Sequence, residues 1–169
     1  MPRADAERER ILDEIEGEGD RAAAILVVTH IEDDLALTLR SRLRRDLTPA
    51  EEAALFYGDA PLATLSAKIK MAYALGAYGP KTRDDLNIFR EIRNAFAHSR
   101  RTLEFEMPVV VTVLERLHVL KEFPLKEEYR ETATITWRQK FVSAVYMVSG
   151  RLLTAPGLMS GRPKKATLP

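Results

Sequence analysis

Cysteine is absent from all 169 residues, which removes a disulfide framework, a thiolate zinc site and a cysteine nucleophile from consideration. That composition suits a reducing compartment, and the cytoplasm is the expected location. An excess of one charge is also missing. The 26 Lys and Arg nearly cancel the 25 Asp and Glu, leaving a net charge of +1, so attraction to nucleic acid or to anionic membranes would need a local patch. Long apolar runs are lacking too: the most apolar one, Ala22 to Val28, is far too short to span a bilayer. The opening MPRADAERERILDEIEGEGD is too charged for a signal peptide, so neither a membrane location nor standard secretion is expected. There is no phosphate-loop glycine pattern, and Gly58 and Gly76 read as a turn and a helix cap. No internal repeat or sustained heptad is present.

What the sequence does contain is 46% hydrophobic residues, enough for one sizeable core and too little chain for two comfortable domains. The expected fold is all-α, a single-domain bundle of about six to seven helices. Residues 1–19 read as a lead-in helix and Gly-rich linker, 20–153 as the helical domain, and 154–169 as a disordered basic tail.

Hydrophobic spacing supplies the elements. Asp20 is read as the N-cap of a segment reaching about Arg45, with Ile25, Val28, Ile31, Leu35, Leu39 and Leu43 at three- and four-residue steps. The β-branched ILVVTHI could suggest a strand, but the stripe runs on without a turn signal, and its apolar first half predicts the buried central helix. Thr48-Pro49-Ala50-Glu51 predicts a capping box opening a short helix. Further helices are expected from Leu62 to Ala77, from Thr82 to Ser99, from Pro108 to Pro124, and from about Glu127 to Leu153. The TATITW start of the last fits a strand equally well.

Three blocks in order, DRAAAILVVTHIEDDLALTLRSRL, LFYGDAPLATLSAKIKMAYALGAYG and DDLNIFREIRNAFAHS, resemble the mannitol operon repressor (MtlR/MltR) family over roughly Asp20 to Leu120. The resemblance implies an all-helical fold and a transcriptional regulator of sugar-alcohol uptake. It supplies no DNA-reading element and does not extend to Met1–Gly19 or beyond Leu120.

Arg93-Asn94-Ala95-Phe96-Ala97-His98 also resembles the Arg-Asn-x-x-x-His signature of HEPN helical domains, many of which are ribonucleases. At about 100° per residue, Asn87, Glu91, Asn94 and His98 share a polar face, opposite the core face of Ile88, Phe89, Ile92 and Phe96. Arg93 lies at the core edge, roughly 140° from His98. A His can take a ribose hydroxyl proton and an Arg can stabilise a pentavalent phosphate. One helix does not easily aim both at one point, and the resemblance implies a homodimer with two such helices facing each other. The alternative is structural: His98 complements the helix dipole, Asn94 hydrogen-bonds to it one turn away, and Arg93 pairs with a carboxylate of another helix. The structural or interface role is the expected one for Asn87, Glu91, Arg93, Asn94 and His98, and no catalytic residue is assigned.

Other signals are thinner. His30 and Asp34, with Glu32 and Asp33 between, offer two ligands on one helix, which is not a metal site, and neither a metal nor a cofactor is expected. His118 reads as a packing residue and Lys68 as a solvated lysine. Arg40, Arg42, Arg44 and Arg45 form the strongest cationic cluster, for which complementing a helix C-terminus is the simpler account. Gly161-Arg162-Pro163-Lys164-Lys165 resembles the Gly-Arg-Pro core that enters AT-rich minor grooves, without the usual preceding Arg. No helix-turn-helix is visible. The expected function is therefore a helical regulator acting through an unidentified protein partner. The alternatives are a HEPN-like ribonuclease using Arg93 and His98, or weak, salt-sensitive DNA binding through the basic patches.

Overall fold

The computed structural model describes residues 15, 17–43, 46–122 and 135–154. Outside these lie the expected lead-in helix apart from Ile15, the cations Arg44 and Arg45, residues 123–134 with the first half of the TATITW start, and the tail with Arg162, Lys164 and Lys165. The described residues form seven α-helices and no strand: α1 (Asp20–Arg40), α2 (Pro49–Phe56), α3 (Leu65–Ala74), α4 (Pro80–His98), α5 (Pro108–Leu114), α6 (His118–Glu122) and α7 (Trp137–Leu153). The all-α expectation holds. No helix among them is long and apolar enough to cross a membrane.

The central position of α1 follows from its apolar circumference. Val27, Val28, Ile31, Leu35 and Leu39 are buried, and the helix packs against α7, α4 and α3. Ile25 is only half-buried. Tertiary burial on three sides outweighs the β propensity of the ILVVTHI run. The helix ends at Arg40, short of the expected Arg45, because the Arg42 and Leu43 amides turn back to the carbonyls of Leu39 and Arg40 in a tight final turn.

Local capping explains most other boundaries. Thr48 and Glu51 form the expected capping box of α2, and Thr136 with Gln139 forms a second one that opens α7. Helix α3 ends in a Schellman turn in which Gly76, at φ 67°, lets Ala77 N–H reach Ala72 O at 2.9 Å. Pro80 opens α4 after Gly79, two residues before the expected Thr82.

Two expectations need correction. Asp20 is not an N-cap. Gly19 occupies that position, and the Asp20 carboxylate accepts from Phe105 N–H at 2.8 Å and pairs with Arg138 at 3.3 Å. The single helix expected from Pro108 to Pro124 is two, interrupted at Glu115–Leu117. The cause is Asp85 on α4, whose carboxylate accepts from the His118 and Val119 amides at 2.7 and 3.0 Å and so starts a new helix there. An aromatic cluster, Phe89, Phe96, Phe105 and Phe141, fills the space between α4, α7 and the loop after α4, with centroids 4.8–5.7 Å apart.

Candidate functional site

Helix α4 carries both faces predicted for it. Leu86, Ile88, Phe89, Ile92 and Phe96 are buried, and Asn87, Glu91, Arg93, Asn94 and His98 are half-buried or exposed. The structure divides this polar set. Asn87 and Glu91 line a cleft of about 250 Å³ with Asp84, Ile88, Arg116 and His118. There Asn87 Nδ2 donates to Arg83 O at 2.9 Å, and Glu91 meets Arg116 at 3.4 Å. Further along the helix, Arg93 Nη1 donates to Asn94 Oδ1 at 3.0 Å. His98 stands exposed at the last residue of α4.

This geometry revises the expected polar network. The Asn94 oxygen is taken by Arg93, not by His98, and Arg93 finds its partner on its own helix instead of a carboxylate on another. No hydrogen bond or ion pair joins the His98 side chain to another described group. Arg93 and His98 share no hydrogen-bond partner among the described residues.

The cationic candidates are engaged inside the fold where they are described. Arg40 pairs with Glu52 at 2.8 Å and lies over the Phe56 ring at 4.7 Å. Arg42 donates to Thr38 O at 3.1 Å, serving the carbonyl end of α1. The acidic run of α1 is likewise dispersed: Glu32 pairs with Lys68 on α3 at 2.6 Å, and Asp34 accepts from Ser149 Oγ on α7. Among the described residues no group of three or more acidic, His or Cys side chains could hold a metal. Lys68, expected in solvent, is 7% exposed and also donates to Ala63 O at 3.3 Å. His118 is half-buried, with Nε2 3.9 Å from Asp84.

Asp85 is the polar residue that spacing alone passed over. It is fully buried, and burial pushes its carboxyl pKa up, an effect that the two amide hydrogen bonds from His118 and Val119 partly offset. Nothing local marks it, since its amides come from 33 and 34 residues later. The neighbouring Glu122 is held below its ordinary value by hydrogen bonds from Lys81 and Arg151. Together these groups lock the start of α4 to α6 and α7.

Comparison with known proteins supplies the wider frame. The chain matches the family described as MtlR, mannitol repressor, over residues 16–147. Its fold is similar to a chain in the X-ray structure of the MtlR-HPr complex from Escherichia coli, with a TM-score of 0.66 and 18% identity over 87% of this chain and 98% of that one. No curated protein matches the sequence. A match over most of the length settles kinship, and the chain belongs to the mannitol repressor family.

Proposed function

We propose that this chain is a cytoplasmic transcriptional regulator of the mannitol-repressor type that acts by binding another protein, and that the partner is a protein of the HPr kind. The observation that carries the reading is family membership over residues 16–147, joined to a fold similar to that in the MtlR-HPr complex. Charge supports it from the other side. Arg40 and Arg42, the described members of the strongest cationic cluster, are bound to Glu52 and to the end of α1. Both are thereby drawn away from tracking a phosphate backbone.

The test is a calorimetric titration of the full chain with purified HPr from the same cell, set beside a mobility shift on promoter DNA at physiological salt. A saturable complex with HPr and weak, salt-sensitive DNA retention are expected. Tight, sequence-selective DNA binding with no HPr complex would replace this reading with direct repression. A homodimer is part of the proposal, and sedimentation of the full chain as a monomer would remove it.

A further inference from the structure

We propose that the cleft between the first turn of α1 and the loop joining α4 to α5 binds a phosphorylated small molecule, a ligand separate from any protein partner. The cleft measures about 570 Å³, within the range of about 300–1,000 Å³ usual for small-molecule sites. Arg21 lines it from α1, and Arg100 and Arg101 line it from the loop. These three residues come to one cleft from parts of the sequence about 80 residues apart.

No ion pair with a carboxylate answers their charge among the described residues. Elsewhere Arg40, Arg83, Arg116, Arg138 and Arg151 each pair with a carboxylate. The side chains of Arg100 and Arg101 meet no such partner among the described residues. Asp20 also lines the cleft, but Phe105 N–H and Arg138 already engage both of its oxygens. Glu104 is the remaining carboxylate, so positive charge predominates.

The walls are preorganised. Arg21 donates to Ser99 O, tying the loop to α1, and Ser99 Oγ accepts from Arg101 N–H at 3.1 Å while donating to Arg101 O at 2.7 Å. Phe105 anchors the far end of the loop in the core. A phosphate monoester is a dianion with oxygens that suit the planar donor fork of arginine, and the cleft has room for the group that carries it. A short open cleft with three arginines fits a small ligand better than a nucleic-acid strand, which needs an extended cationic track.

The experiment titrates the isotope-labelled full chain with glycerol 3-phosphate and with inorganic phosphate in chloride buffer, following backbone amides by NMR. Saturable shifts are expected at Gly19–Arg21 and Arg100–Glu104, with none from glycerol itself. Arg100→Gln combined with Arg101→Gln should weaken binding about tenfold or more at unchanged Tm, and the corresponding double Lys variant by a smaller factor. Unchanged affinity in the Gln pair, shifts confined elsewhere, or a short single-stranded RNA displacing glycerol 3-phosphate at lower concentration would each overturn the proposal. HPr binding by the Gln pair should be unchanged. Its loss would make the cleft part of the partner surface and end the case for a separate ligand site.

Discussion

The two ends of α4 handle charge in opposite ways. At the N-terminal end nearly every polar group is committed: Asp85 to two amides of α6, Arg83 to Asp84, and Lys81 through Glu122 to Arg151 on α7. At the C-terminal end His98, Arg100 and Arg101 stand exposed, and their side chains meet no described partner. The same helix therefore holds the fold together at one end and leaves polar side chains exposed at the other. The lesson is that a polar face on a helix is not a unit of function. Its meaning changes along its length with what packs beside it.

Substitutions along α4 test that contrast. Between the two ends, Phe89 is fully buried in a T-shaped pair with Phe141, ring centroids 5.7 Å apart, and Phe89→Ala should cost about 3–5 kcal/mol in urea unfolding. This sets the scale for the helix. Asp85→Ala should come next, at about 1–3 kcal/mol, because it strands the Val119 amide in the core and leaves that of His118 to find water. Hydrogen exchange should quicken in α6 before the rest of the chain.

A pH series sharpens the picture. Asp85 has a raised folded pKa, so the folded state holds that proton more tightly than the unfolded state does. The stability it confers is therefore greatest in acid, falls as pH rises from the ordinary carboxylate value through the raised one, and is level above that. Glu122 has the opposite sign: its lowered pKa supports the fold at neutral pH and loses that support as pH falls through the lowered value. Asp85→Asn should remove the first slope and leave the second. Wild-type and variant stability curves that run parallel through that window would contradict the assignment.

The smallest effect is expected at the far end. His98→Ala should change stability by less than about 0.5 kcal/mol, as for other exposed side chains without partners. The spacing of Asn94 and His98 alone suggests a larger loss, of about 1 kcal/mol or more, through a broken hydrogen bond. That bond is absent because Asn94 Oδ1 accepts from Arg93. If His98→Ala proved as costly as Asp85→Ala, the division of α4 into a holding end and an exposed end would fail.

Much of the scaffold was readable from spacing. The stripe Val28, Ile31, Leu35 and Leu39 identifies the central helix, and Thr48 with Glu51 marks the start of α2. Thr136-Trp137-Arg138-Gln139 carried the same capping signal and marks α7 more firmly than the β-branched residues before it suggest. The candidate site was less legible. Lys68 looks like any surface lysine on an amphipathic helix until Glu32, 36 residues away, is brought to 2.6 Å. The arginine-lined cleft joins positions about 80 residues apart, and no local pattern announces such a meeting.

Sequence alone determined the helical class, the identity of the central helix and the two faces of α4. These follow from short-range periodicity, in which each residue's partner lies within about four positions. Tertiary structure alone decided that Asp85 would split one expected helix into two, that Lys68 would be buried, and that Arg21 would meet Arg100 and Arg101 across an open cleft. The reason is physical: whether a charge is solvated, paired or left unanswered depends on the groups that packing sets beside it, and those come from anywhere in the chain.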